Sequence, residues 1–342
     1  MRNKKINIAV IHGGPSNERD VSIKTSQQIA KVLPKNKYNV FLIEITKNKK
    51  WLYKGKFEAE NSGKKYEIDI LSDNNILKKK IDVAFIALHG KFGEDGKIQA
   101  MLDLIGLPYT GSGMLSSALG MSKIKSLELV AKNKIRIPKY LTLYKKNTNP
   151  DFSKNVEKNI NYPCVVKPSE SGSSIGISIV KNKNQFSKAI DSAFKEDNAI
   201  IIEQYIKGRE LTCGIMGNTN RTELIALPIA EIIVKDSDFF DYKTKYFSNT
   251  VQEICPAKVN PKITKKVQEL AKKIHSVLWC DGLTRSDFIL SDADKKLYFL
   301  EINTIPGQTQ ASLCPKQAKA AGVKFSEFLE KQIDLAFKKH ND

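Results

Sequence analysis

Short apolar runs and longer amphipathic stretches alternate through the first part of the chain. "INIAVI", "NVFLIEI" and "DVAFIAL" are rich in β-branched and aromatic residues, and the stretches Ser22 to Val32 and Gly96 to Ile105 lie between or after them. Such alternation predicts a parallel α/β layer over roughly the first 120 residues. In the second stretch Ile98, Met101, Leu102 and Ile105 recur at i, i+3, i+4 and i+7, a stripe that faces a core.

The pattern changes after "LPYTGSG". A helical segment around Lys123 to Ala131 and the polar stretch "KKNTNPDFSKN" lead into "PCVVKPSESGSSIGISIV", which reads strand, glycine-serine loop, strand. A helix over Asn184 to Phe194 and the strand "AIIIEQYI" complete this middle region. From Thr212 strands run to Val234, followed by a long aromatic loop, a helix over Lys262 to Leu278 and a hairpin from Leu283 to Asn303. The expected fold class is α/β (α+β) in three parts, 1–118, 119–211 and 212–342, packed into one body without a flexible linker.

With 342 residues and 41% hydrophobic content, the chain is long enough for such cores. The net charge of +19 raises the question of nucleic acid. The basic residues are scattered, the tightest run being "KKK" at 78–80, and aromatics do not interleave with them. A solvated surface is the expectation, with no nucleic-acid or membrane partner. Cys164, Cys213, Cys255, Cys280 and Cys314 include no CxxC pair, which fits free thiols in a reducing cytoplasm. The apolar run Ile6 to Ile11 breaks at His12 and two glycines, so it reads as a first strand rather than a leader.

The closing hairpin carries the strongest chemical signal. In "YFLEINTIPGQTQASLCP", strict alternation puts Tyr298, Leu300 and Ile302 on one face and Phe299, Glu301 and Asn303 on the other. Arg285 and Asp287 in "LTRSDFIL" share a face as well. If the two strands are antiparallel neighbours, Asp287, Glu301 and Asn303 converge beside Arg285. Residues two apart on a strand sit ~7 Å apart, so these oxygens can bracket two cations ~3.5–4 Å apart. An oxygen-only donor set selects Mg²⁺ or Mn²⁺. A plain salt-bridged hairpin would account for Arg285 and Asp287 but leave Glu301 and Asn303 without a role.

Other strings are weaker singly. The glycines and serines of "VVKPSESGSSIG" can turn N–H groups and hydroxyls onto an anion, although the loop is neither a Walker loop nor a dinucleotide fingerprint. "IIIEQYIKGREL" could floor an adenine, with Glu210 near a ribose. "DFFDYKTKYFSNTVQEI" has the length and aromatic content of a lid. "IHGGPSNERDVS" leads Glu18 toward a helix start, and "IALHGKFGEDG" puts His89 at a parallel strand end, where α/β folds bind ligands.

Together and in this order these strings resemble the D-alanine–D-alanine ligase family of the ATP-grasp superfamily. The resemblance covers nearly the whole chain: "HGGPSNERDVS", "ALHGKFGEDGKIQ", "LPYTGSG", "ALGMSK", "VVKPSESGSSIG", "KGRELT", "FDYKTKY", "LTRSDF" and "LEINTIPGQT…SL". It implies an ATP-grasp fold, ATP and two Mg²⁺ ions, a cytoplasmic homodimer, and ligation of two D-alanines through an acyl phosphate. Lys123, Lys167, Ser173, Ser174 and Lys245 match positions around the ATP phosphates. Glu203, Gln204, Ile206 and Glu210 match those around adenine and ribose. Asp287, Glu301 and Asn303 match the metal ligands.

By the same resemblance Glu18 anchors the ammonium of the first D-alanine beside His89, and Ser173 and Tyr246 tie Glu18 to the closed lid. Arg285 and the N–H of Gly307 form an oxyanion site, while Ser312 and the N–H of Leu313 hold the carboxylate of the second D-alanine. Four positions depart from the family pattern. Ser122 and Gln204 bear on nucleotide affinity, Gln308 and Ala311 on the second substrate pocket, where D-lactate or D-serine is the alternative to D-alanine. The Tyr at 246, where ester-forming relatives with this lid carry Phe, favours the dipeptide.

Overall fold

The computed structural model describes residues 4–57, 66–147, 152–172, 175–234 and 251–340. The first sheet has the order β4-β3-β2-β1-β5. It is made of β1 (Ile6–Gly13), β2 (Tyr38–Ile45), β3 (Trp51–Lys56), β4 (Tyr66–Ile68) and β5 (Val83–Ile86). The three strands expected from the apolar runs, β1, β2 and β5, are parallel. An antiparallel pair, β3 and β4, extends them at one edge. Helices α1 (Arg19–Val32), α2 (Ile76–Lys80) and α3 (Lys97–Leu104) belong to this part.

Both faces of β1 are buried, as continuous apolar strands of α/β sheets require. Ile8 and Val10 join one core with Ile29, Leu33 and Phe328, while Ala9 and Ile11 join another with Ile98 and Leu102. Met101 and Ile105 pack at the margin of that second core, so the α3 stripe faces inward as its period dictates.

Helices α4 (Met114–Met121) and α5 (Lys123–Lys132) lead to a four-stranded antiparallel sheet of order β6-β9-β7-β8. Its strands are β6 (Tyr140–Tyr144), β7 (Cys164–Pro168), β8 (Ser178–Val180) and β9 (Ala199–Gln204), with α6 (Phe152–Asn159) and α7 (Phe186–Glu196) alongside. Ser122 closes the start of α5: its hydroxyl accepts from the Lys125 N–H at 3.4 Å, a normal N-cap role.

The third sheet runs β13-β12-β10-β14-β15, with β11 paired to β10. Its members are β10 (Gly208–Met216), β11 (Ile225–Ala226), β12 (Ala230–Val234), β13 (Val251–Ile254), β14 (Leu283–Ser291) and β15 (Leu297–Asn303). Helices α8 (Pro261–Val277), α9 (Leu313–Ala320) and α10 (Phe325–His340) complete the chain. β10 runs without interruption through the expected boundary at 211/212. α10 packs back on the first sheet through Phe328, Leu329 and Ile333, which joins the two ends of the sequence.

Strict alternation fails in β15. Asp287 pairs with Glu301 but Phe288 pairs with Phe299, so Leu300 is a bulged residue. Phe299 is therefore buried in the same core as Ile302 and does not share the face of Glu301. Leu300 and Glu301 both line the cavity between the second and third sheets.

Candidate active site

The antiparallel register of β14 and β15 sets Arg285 opposite Asn303 and Asp287 opposite Glu301, so the residues expected to converge do so. Arg285 donates to Asp287 through Nε (2.9 Å) and Nη2 (2.7 Å), a bidentate bond between side chains that are almost wholly buried. Thr212 of β10 donates its hydroxyl to Asp287 Oδ1 at 2.6 Å, and the Asn303 amide donates to Oδ2 at 3.1 Å. Burial opposes the charge on Arg285, but the Asp287 carboxylate outweighs it and holds the guanidinium above its ordinary pKa.

A cavity of about 540 Å³ lies between the second and third sheets, lined among others by Lys167, Glu203, Ile206, Glu210, Ile289 and Leu300. Gln204, Asp287 and Glu301 also line it. Its apolar walls include Val165 of β7, Ile179 of β8, Ile232 and Ile233 of β12, Ile289 of β14 and Leu300 of β15. The Lys167 ammonium at the end of β7 pairs with Glu203 Oε2 at 2.6 Å, both side chains deeply buried, and Glu203 Oε1 has no hydrogen-bond partner among the described residues. The Lys123 ammonium, also buried, reaches Glu301 Oε2 at 3.1 Å and the Ser171 carbonyl at 2.8 Å. Of the expected site residues, Lys167, Glu203, Gln204, Ile206, Glu210, Asp287 and Glu301 thus line one space.

A second cavity, about 340 Å³, is lined by Ser16, Glu18, Gly90, Lys91, Ser171 and Gly172, among others. Glu18 is the N-cap of α1, yet its side chain makes no cap bond and turns toward two glycines. A Cβ at Gly90 (φ +70°) would lie 2.7 Å from Glu18 Oε2, and one at Gly172 3.1 Å away, so a side chain at either would push the Glu18 carboxylate aside, and at Gly90 the backbone itself favours glycine. His89 is buried, with Nδ1 3.2 Å from the Ile305 carbonyl and Nε2 3.4 Å from Thr25 Oγ1.

The loop after β15 carries the remaining expected residues. Ser312 is the N-cap of α9, but its hydroxyl makes no cap bond; it accepts from the Thr309 N–H at 3.2 Å and meets Thr309 Oγ1 at 2.8 Å. Leu313 opens the helix, where backbone N–H groups lack intrahelical acceptors and favour an anion. A Cβ at Gly307 would press on Ser312 Oγ at 2.9 Å. Gln308 is 3% exposed and bonded to Gln332 of α10. Ala311 is exposed.

Ser173, Ser174, Lys245 and Tyr246 lie outside the described residues. Glu94 is a site residue that pattern reading missed. Its carboxylate accepts from the Gly90 N–H (2.8 Å) and the Ile305 N–H (3.1 Å), joining the loop beside Glu18 to the loop beside Gly307. Burial, and then the nearby charge of Glu18, push its pKa up to about 7. Glu94 stands inside the quoted string "ALHGKFGEDGKIQ", and an acid bounded by glycines in the turn between β5 and α3 is the signal that could have singled it out.

Two antiparallel sheets closing on a cavity walled by lysines, carboxylates and apolar side chains define an ATP-grasp enzyme. Residues 7–112 match the family model "D-ala D-ala ligase N-terminus", and residues 129–334 match "D-ala D-ala ligase C-terminus". The D-alanine–D-alanine ligase of Syntrophobacter fumaroxidans is 39% identical over 98% of this chain and 99% of its own. That of Flavobacterium johnsoniae is 39% identical over 96% and 99%. Among solved structures, the VanG D-Ala:D-Ser ligase of Enterococcus faecalis superposes with a TM-score of 0.86 at 34% identity, covering 97% of this chain and all of that one. A Bacillus anthracis D-alanine–D-alanine ligase complexed with ATP gives 0.77 at 31%, over 98% and 99%. The chain belongs to the D-alanine–D-alanine ligase family, and is an ATP-dependent ligase.

Proposed function

We propose that the protein joins two D-alanines into D-alanyl-D-alanine for peptidoglycan precursor synthesis, converting ATP to ADP and phosphate by way of a D-alanyl phosphate. The observation that carries this reading is the single cavity where apolar walls, Glu203 and Glu210 meet Lys167, Asp287 and Glu301. Such a space suits a nucleotide whose phosphates end at the carboxylates. The carboxylate of the first D-alanine attacks the γ-phosphorus and ADP leaves; the amine of the second then attacks the acyl carbon and phosphate leaves. Positioning and charge neutralisation dominate such a transfer.

The roles follow from chemistry and place. Lys123 and Lys167 neutralise phosphate oxygens, with Ser173, Ser174 and Lys245 joining them. Glu203, Gln204 and Ile206 take the adenine, and Glu210 the ribose. Glu18 and His89 hold the first D-alanine, with Ser173 and Tyr246 linking Glu18 to the lid. Arg285 and the Gly307 N–H receive the oxyanion, and Ser312 with the Leu313 N–H takes the second carboxylate.

The donor set fits hard divalent cations: Asp287, Glu301 and the Asn303 carbonyl offer only oxygen, leaving the rest of the coordination shell to phosphates and water. Arg285, Thr212 and Asn303 already donate four hydrogen bonds to Asp287, so a cation binds there only in exchange for one of them. The Asn303 amide, bonded through its NH₂, is the group that can turn its carbonyl inward. Two Mg²⁺ ions, or Mn²⁺, would neutralise phosphate charge.

We also propose the division 1–118, 119–211 and 212–342, whose second boundary falls within β10, and a cytoplasmic homodimer; the location and the dimer rest on the family resemblance. No described helix is long and apolar enough to cross a membrane. The second reading is a D-serine-accepting ligase, favoured by the VanG likeness. Phosphate release with ATP and Mg²⁺ against D-alanine, D-serine and D-lactate, with product masses, separates the two. D-alanyl-D-alanine as the main product is the expected result. A predominantly D-alanyl-D-serine product establishes the second reading, and no D-alanine-dependent release overturns both.

A further inference from the structure

The loop between β15 and α9 is anchored at its far end and adjustable in the middle. At the far end, Gln317 of α9 is fully buried, accepting from the Gly214 N–H at 3.2 Å and donating to the Thr212 carbonyl at 2.9 Å. Both acceptor and donor lie on β10, the strand whose Thr212 holds Asp287. The start of α9 is thereby fixed to the floor of the site. The middle is held differently. Gln308 Oε1 accepts from Gln332 Nε2 at 2.9 Å, and these residues are 3% and 1% exposed. The next anchor is the Gln310 N–H, which donates to Gln28 Oε1 of α1 at 2.9 Å.

We propose that the buried Gln308–Gln332 amide pair is a positioning element that sets the backbone of residues 307–312 and so tunes acceptance of the second substrate. The proposal rests on the assignment of Gly307, Ser312 and Leu313 made above. Gln308 directly follows Gly307, and its side chain runs into the interior toward α10, so the direction of the Gly307–Gln308 peptide is tied to where Gln332 stands. Gln332 has little freedom of its own, since its amide also lies 3.4 Å from the Phe328 carbonyl in the preceding turn. An amide deprived of its partner in a dry interior shifts the chain to find another. The chain that shifts here is the one carrying the donors for a carboxylate and an oxyanion.

The test uses Gln308→Met, Gln332→Leu and the double variant, with Gln332→Asn as a fourth that keeps an amide but shortens its reach. Each single change should raise KM for the second D-alanine roughly tenfold, below the ~10²-fold that a 1 Å misplacement can cost. KM for ATP should stay within about twofold, a split that marks lost ground-state placement of one substrate. The double variant, with both polar groups gone, should recover most of the loss, a coupling that independent sites do not show. Hydrogen–deuterium exchange of the peptide covering residues 307–313, without substrate, should rise in the singles and fall back in the double. Unchanged exchange in all single variants overturns the positioning role. Raised exchange with an unaltered second-site KM, equal losses for ATP, or additive losses in the double overturns the link to the second substrate. Because the exchange arm needs no turnover, failure of the D-alanine reading itself would show separately, as an inactive unmodified enzyme.

Discussion

Replacing Lys167 by Met tests the nucleotide cavity by its cost to the empty protein. Lys167 and Glu203 form a 2.6 Å pair with side-chain exposures of 10% and 2%. At that separation an effective dielectric of 20 gives a gross attraction of about 6 kcal/mol, most of it offset by desolvation of the two ions. Removing the lysine takes away the attraction but leaves the buried carboxylate, whose other oxygen has no hydrogen-bond partner among the described residues. Breaking such a pair costs about 3–5 kcal/mol, which for a chain of this length lowers Tm by roughly 4–7 °C. The double variant Lys167→Met/Glu203→Leu removes both charges and should regain most of the stability. It should not regain ATP binding, because no cation then meets the phosphates at this position. Thermal unfolding without ligand and calorimetric titration with ATP are the paired assays. A Lys167→Met melt within about 2 °C of the unmodified protein would show that the pair is no internal strut, and normal ATP affinity in the double would remove both residues from the nucleotide site.

Glu301→Gln and Asn303→Ala should each nearly abolish D-alanyl-D-alanine synthesis while leaving far-UV circular dichroism unchanged, since Mg²⁺ tolerates few missing ligands; near-normal turnover in either would detach the hairpin from metal binding. Glu94 gives a pH signature with a definite sign. Its pKa is about 7 against a reference value of 4.5, so across that interval the folded chain keeps a proton that the unfolded chain has lost, and stability falls as pH rises through it. Glu94→Gln should lack this decline: urea midpoints of the variant should gain on the unmodified protein between pH 4.5 and 7, and a pH-independent difference would show that Glu94 is not held as described.

The hairpin was legible in the sequence because its information is local. Arg285 with Asp287 and Glu301 with Asn303 are each two apart, and a polar turn fixes which strands pair, so period and adjacency suffice to bring them together. The bulge was not legible, because it depends on pairing with β14 rather than on any property of Leu300. The antiparallel edge of the first sheet escaped for a related reason. Trp51, Tyr53 and Gly55 are buried while Lys54 and Lys56 are not or only partly so, a short alternation interrupted by glycine. Glu94 meets Ile305 across 211 residues, and Gln332 meets Gln308 across 24; single polar residues with distant partners leave no periodic trace. Gln308 stood out in the sequence only as a departure from the family pattern, and nothing local announces that its side chain bonds Gln332 of α10.

The bulge at Leu300 makes β15 divisible by length as well as by substitution. Phe299 and Ile302 face the core while Leu300 and Glu301 face the cavity. Without Leu300 the sequence Phe299, Glu301, Ile302, Asn303 would alternate core, cavity, core, cavity as an ordinary strand does. The leucine is thus an interpolated residue: it adds an apolar surface beside the cavity between the second and third sheets without reversing the orientation of any neighbour. One strand serves two kinds of contact, and a one-residue deletion, rather than any replacement, is the change that would take the apolar contact away while leaving both oxygen-bearing side chains on their present side of the sheet.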